Sequence, residues 1–361
     1  MKKLFLSVVV LFVLASLSFS QIKSSDYFST KIIRKDKDFA FPLFWQSNNI
    51  GVENRINRFL QLSELSQLVR HTSNIFKQTS IDDGTIYGGK TSLISTIYSN
   101  NRSVLSIGFD ESSCGMTCAY WHRYHNFNPG NGDRIELKDL FNKKNYGKFR
   151  KLVFTKRAKA YRKDVLRNVP IKDRQYMMDQ SGLLEDDDLS DFYILKDSIA
   201  IDGENFLSKN NKFFGLNMYV KFYLSEFKPL LNDYGKAVFG LSVVPLELYH
   251  SASLPQLFEG RVNDKWPFVM VMDTDGVTEA SGIYAYLRYG VGIDLQGTVS
   301  DSGELIFSER ILTKARPEIQ WLHEGTYEDN GTIQSRLQGS RLIGTWTSRD
   351  KTTTLPFVAQ R

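Results

Sequence analysis

A chain of 361 residues, 42% hydrophobic and 24% charged, is too long for one ordinary core and suits two domains. Its formal net charge of +6 falls to +4 if Lys2 and Lys3 leave with an N-terminal leader, a balance too mild to point to nucleic acid. Export, which the leader implies, argues against nucleic acid as well.

The leader comes first in the chain. Lys2 and Lys3 precede an apolar run from Leu4 to Leu17, and Ser18-Phe19-Ser20 places small residues before Gln21. This pattern predicts a signal peptide over residues 1–20, cleaved near Ser20–Gln21. The run is shorter than the ~20 apolar residues a bilayer span needs. No Cys follows it, and no second span is evident. The expectation is a periplasmic or secreted bacterial protein with no transmembrane segment after cleavage.

Residues 39–45 (FAFPLFW) read as a first strand after an extended lead-in. Residues 53–70 place Ile56, Phe59, Leu60, Leu65, Leu68 and Val69 at helical spacing, which predicts an amphipathic helix. Residues 84–110 alternate around Gly88-Gly89 and Asn100-Asn101, as an antiparallel meander does. Residues 119–127 form a further strand, with Tyr120, His122, Tyr124 and Asn126 on one face and Trp121, Arg123, His125 and Phe127 on the other. Asn128-Pro-Gly-Asn-Gly-Asp133 is turn chemistry, followed by a short strand at 134–137.

Residues 145–168 predict a strongly basic helix in which Phe149, Leu152, Val153 and Tyr161 face a core and Asp164 is the one acid. Residues 192–201 and 213–219 read as paired strands. Pro245 and Pro255 mark a linker over residues 245–261. Beyond it lie short strands at 281–288, 292–299, 304–311, 332–337, 341–347 and 355–358, separated by Gly turns. The resulting fold class is α+β: an antiparallel sheet packed by helices over residues 21–244, then a small all-β meander or barrel over residues 262–361.

An ordered set of residues in the first unit resembles a known family. Ile56-Asn57, Asn126-Phe127-Asn128, Gly132-Asp133, Leu137-x-Asp139-Leu-Phe141 and a closing Phe-x-Leu-x-Met-Tyr strand are similar to the domain of unknown function in the ectodomain of lysozyme-sensing anti-sigma factors. That domain also accompanies the catalytic part of a peptidoglycan deacetylase. The resemblance covers residues 39–240 and implies an α+β fold. Sigma-factor control and deacetylation do not carry over. The chain has no sigma-binding segment, no Thr-Phe-Asp-Asp stretch and no His-x-x-x-His pair.

Two cysteines in an exported chain predict one disulfide, Cys114–Cys118, closed by a tight loop. The series Cys114, Cys118, His122, His125 also has ligand types that zinc accepts. On a strand, however, residues 122 and 125 point to opposite faces, so no metal is expected. Lys148, Lys151, Lys156, Arg157, Lys159, Arg162 and Lys163 are candidates for contact with an anionic surface. No Gly-x-Ser-x-Gly elbow, phosphate loop, dinucleotide fingerprint or zincin motif occurs, so no cofactor is implied. The function expected is that of a cell-envelope binding protein without catalytic machinery, with a lysozyme-like protein or peptidoglycan as partner. The alternative is an envelope hydrolase built from carboxylates scattered along the chain.

Overall fold

The computed structural model describes residues 26–46, 49–69, 75–76, 90–114, 118–179, 189–203, 214–216, 218–251, 253–275, 278–300, 302–312 and 327–361. The expected signal peptide, the Gly88-Gly89 turn, and Phe213 and Asn217 of the expected 213–219 strand lie outside them. Among the described residues no helix is long and apolar enough to cross a membrane.

The first sheet runs β1 (Ser29–Arg34), β2 (Phe39–Trp45), β3 (Lys90–Asn100), β4 (Leu105–Cys114), β5 (Cys118–Phe127), in that order. It is mixed rather than wholly antiparallel, because β2 and β3 pair in parallel at Phe39–Leu93 and Ala40–Ile94. Parallel neighbours need a crossover, and α1 (Ile50–Leu65) lies in that connection. Asn49 caps α1 by accepting from the Val52 N–H. The helix stops five residues short of the expected end because Ser66 turns left-handed, at φ 53°. Its stripe of Ile56, Phe59 and Leu60 packs with Phe41, Phe109 and Phe127 of the sheet.

A three-stranded sheet, β6 (Phe192–Leu195), β7 (Ser198–Ile201) and β8 (Val220–Tyr223), forms a second layer with α2 (Lys143–Asn168) and α3 (Ile171–Asp179). The expected single strand 192–201 is a hairpin broken at Lys196–Asp197, and its outer partner is Val220–Tyr223. Helix α2 buries one row, Phe149, Val153, Arg157, Tyr161 and Val165, in steps of four. That row corrects two expectations: Leu152 is 42% exposed, whereas Arg157 is fully buried. The Arg157 guanidinium donates to the carbonyls of Met218 and Asp202, both at 3.0 Å. Those two carbonyls lie just outside β8 and β7, and their bonds to the guanidinium satisfy the buried charge.

The C-terminal unit is a closed, all-antiparallel eight-stranded barrel. Its strands are β9 (Gln256–Val262), β10 (Trp266–Thr274), β11 (Glu279–Tyr286), β12 (Ile293–Val299), β13 (Glu304–Leu312), β14 (Tyr327–Gln338), β15 (Arg341–Ser348) and β16 (Thr354–Gln360). Strand β9 falls inside the expected linker 245–261 and closes the barrel against β16 through Phe357–Val262. The prolines at 245 and 255 obscured it, yet Gln256, Leu257 and Phe258 are all buried.

Phe258, Phe268, Tyr284, Leu295, Phe307 and Phe357 fill the interior. Glu309 is buried among them and accepts from Trp346 Nε1 (2.6 Å), Asn330 Nδ2 (2.9 Å) and the Tyr284 hydroxyl. Three donors on one carboxylate make this a satisfied core acid.

The two units share apolar contact. Leu257, Val269, Val271 and Ala285 on the outside of the barrel belong to the same cluster as Phe59 and Leu62 of α1. Polar pins reinforce it. Arg134 N donates to Gln256 Oε1 (2.9 Å), and Gln256 Nε2 donates back to Arg134 O (2.8 Å). Asp139 accepts from the hydroxyls of Ser251 (2.5 Å) and Ser253 (2.6 Å).

A candidate binding cleft between the sheet and the barrel

Beside these pins lies a cleft of about 1800 Å³. Its barrel wall is the outer side of β10–β14. Inward residues such as Met272, Tyr284, Leu295 and Glu309 alternate there with Asp273, Ile283, Asp294 and Arg310, which line the cleft. Asp273, Asp275, Glu279, Asp294 and Asp329 give this wall an acidic excess over Arg310. Burial raises the Asp294 pKa, while Arg310 pulls it down.

The opposite wall comes from α1, β5 and the segments at 134–138 and 189–191. Glu64 occupies the buried row of α1, four residues after Leu60. It accepts from His125 Nε2 at 2.7 Å. On the neighbouring strand Glu111 accepts from Trp121 Nε1 at 2.6 Å and pairs with Lys90 Nζ at 2.8 Å. Arg123 Nε lies 3.8 Å from the same carboxyl. The Glu64 and Glu111 side chains have no exposed surface.

Two buried carboxyls this close cannot both ionise freely. Burial and the Glu64 charge push Glu111 up to about 7. Burial also pushes Glu64 upward, but the Arg123 charge and the His125 hydrogen bond outweigh it, and Glu64 lies well below the usual carboxylate range. Burial lowers His125. The ring is therefore neutral at pH 7 and donates its Nε2–H. Glu136, paired with Arg134, is pushed up to about 7 by burial.

The arrangement thus holds one proton on a carboxyl that titrates near neutrality. Chemically that suits a general acid, but Glu111 is sealed from solvent, so no substrate atom reaches it in this conformation. The exposed chemistry of the cleft is charge and hydrogen bonding: Arg123 and Trp121 on one wall, the aspartates on the other.

Of the residues singled out from the sequence, His125 lines the cleft and the others lie elsewhere. The Cys114 and Cys118 sulfurs are 2.11 Å apart at the turn end of the β4–β5 hairpin, where the two residues face each other. His122 and His125 do point to opposite faces. His122 Nδ1 meets Asp110 at 2.6 Å, on the side away from Glu64. Lys148, Lys151, Lys159, Arg162 and Lys163 are exposed on α2. Lys156 bonds the Lys221 carbonyl (2.6 Å) and Glu226 (3.2 Å). Of α2, only Tyr146 lines the cleft.

The cleft residues Glu64, Asp294 and Asp329, and the sealed Glu111 behind them, were not singled out; Asp273 and Asp275 read as a turn without a calcium ligand set. One signal was available: Glu64 continues the Ile56–Leu60 row, and Glu111 continues the inward row Leu105–Ile107–Phe109. A carboxylate on an apolar row marks a buried partner.

No protein-family model matches the chain, and no curated protein matches it. Among solved structures it is similar to the crystal structure of a member of the DUF3298 family from Bacteroides fragilis. The identity is 12% and the TM-score 0.41, and the match covers 62% of this chain and 100% of that one.

Proposed function

We propose that the chain is an exported bacterial envelope protein that binds a basic segment of a protein partner, such as a lysozyme-like hydrolase, in the cleft between its sheet and its barrel. The observation that carries this reading is the size and charge of the cleft. At about 1800 Å³ it exceeds the roughly 300–1,000 Å³ of a small-molecule pocket, and one wall is dominated by aspartates. Such a wall attracts cations from a distance and speeds their encounter. The resemblance to lysozyme-sensing ectodomains in the order of the motifs points the same way. Peptidoglycan is the other candidate ligand.

A second reading, an envelope hydrolase, is favoured by the pairing of two buried carboxyls in which burial and the Glu64 charge push Glu111 up to about 7 while Glu64 lies well below the usual carboxylate range. One experiment separates the readings. The chain is incubated with wall sacculi, a lysozyme-like protein, and chromogenic esters and glycosides. Binding to the protein without turnover supports the proposal. Turnover abolished by Glu111→Gln overturns it in favour of the hydrolase.

A further inference from the structure

Helix α2 carries eleven Lys and Arg residues and a single acid, Asp164. Several of these cations are engaged by the fold, Arg150 among them, which lies 5.2 Å over the Phe154 ring. Arg157 is buried on backbone carbonyls, and Lys156 bridges to Glu226 while lying 4.4 Å over the Phe222 ring. The cations that remain on the outward side include Lys148, Lys151, Lys159, Arg162 and Lys163. None of these five makes an ion pair with a described carboxylate.

Apolar side chains interrupt this basic surface. Leu152 is 42% exposed and Leu166 54%. Lys148, Leu152, Lys159, Lys163 and Leu166 are spaced by four, seven, four and three, and so share a face about 27 Å long. Just past the Pro170 corner, α3 adds Ile171 at 82% exposure and Tyr176 at 63%. A merely solvated helix has no reason to turn large apolar residues outward among its lysines. Scattered single exposures are ordinary, but Leu152 and Leu166 lie along one cationic face.

From this geometry we infer that the outward face of α2, continued by the start of α3, docks on an anionic lipid bilayer. The lysines and arginines meet lipid phosphates. Leu152, Leu166 and Ile171 enter the boundary between headgroups and acyl chains, as apolar residues of interfacial helices do. The apolar residues decide between a bilayer and an acidic wall polymer, since a polymer needs the cations only. The inference is independent of the cleft, because α2 contributes only Tyr146 there.

The test uses the chain from Gln21 onward, which contains every described residue and omits the apolar run that would itself enter lipid. Binding is measured by co-sedimentation with phosphatidylcholine vesicles, with and without about 30% phosphatidylglycerol, at roughly 0.1 M salt. The parent chain binds the anionic vesicles and not the neutral ones. A fourfold variant, Lys148→Glu, Lys151→Glu, Lys159→Glu and Lys163→Glu, loses binding by roughly 100-fold or more, at about fivefold for each lysine removed.

A second variant, Leu152→Ser, Leu166→Ser and Ile171→Ser, keeps every charge and binds about five- to tenfold more weakly. Both sets lie on the surface, and an unchanged thermal melt verifies that the fold is retained. No binding of the parent to anionic vesicles overturns the inference, as does equal binding to neutral ones. Full binding by the serine variant, with the charge-reversed one inactive, also overturns it and points to an acidic polymer instead.

Discussion

His125 Nε2 lies 2.7 Å from Glu64 Oε1, and this bond ties the middle of β5 to the last turn of α1 beneath the cleft. Both side chains are buried, and burial keeps the ring neutral at pH 7. Its second nitrogen, Nδ1, is buried and has no hydrogen-bond partner among the described residues. The proton that the cluster does hold sits on Glu111, whose carboxyl titrates at about 7.

That proton makes stability depend on pH. Glu111 has a folded pKa raised from 4.5 to about 7, so the folded chain keeps a proton that the unfolded chain releases above pH 4.5. Its contribution is complete below that value and is lost as pH rises toward 7. Glu136 behaves alike. Glu64 and His125 are shifted down and act in the opposite sense, their contributions falling as pH drops. Comparison with Glu111→Gln isolates one group. The variant gains on the parent as pH rises from 5 to 8, by roughly 2–3 kcal/mol. Denaturant melts across that range measure the gain, and a difference that stays constant with pH would contradict the assignment of the proton to Glu111.

The two histidines of β5 have different roles. His125→Leu removes the buried donor of an ionised Glu64 and costs about 2–3 kcal/mol. His122→Leu removes a bond to the half-exposed Asp110 and costs about 1 kcal/mol or less. Equal costs in urea denaturation would mean that the two rings are not divided between a buried and an open face.

On α2, Arg157→Met leaves the carbonyls of Met218 and Asp202 without their donor and destabilises the chain by about 2–4 kcal/mol. Lys159→Met, two residues on and exposed, changes stability by about 0.5 kcal/mol or less. Melting the two variants side by side checks the assignment of one cation to the fold and the other to the surface.

Much of this was legible from the sequence. The Ile56–Leu60 stripe, the alternation in 119–127 and the Gly-punctuated strands after residue 280 each predict the element that forms. What escaped depended on contacts distant in sequence. Strand β9 was hidden because Gln256 is buried by bonding to the Arg134 backbone, 122 residues away. Arg157 looked like one more outward cation, since nothing local announces that the carbonyls at 202 and 218 accept from it. Of the cleft's aspartates, Asp294 alone sits on a strand expected from the sequence, 292–299, while Asp273 and Asp275 read as a turn and Asp329 as the approach to one. They converge only because the barrel closes and packs against α1.

Barrel closure gives a further prediction. Gly344 lies where β15 passes β14, and a Cβ there would fall 1.9 Å from the Gln334 carbonyl oxygen. Gly344→Ala therefore cannot be accommodated without moving a strand, and it destabilises the barrel by about 3 kcal/mol or more. Gly339, at φ +61°, has open space around it. Gly339→Ala costs about 1 kcal/mol of backbone strain. Thermal unfolding of both variants tests whether close strand approach or turn geometry limits the barrel.

The most direct test of the proposed function is the affinity of the chain from Gln21 onward for a basic lysozyme-like protein, measured by calorimetric titration for the parent and for a variant carrying Asp273→Asn, Asp294→Asn and Asp329→Asn. The account predicts that the parent binds, that binding weakens with added salt, and that the triple variant binds about tenfold or more weakly. An affinity unchanged in the triple variant, or a parent that binds sacculi and not the protein, would contradict it.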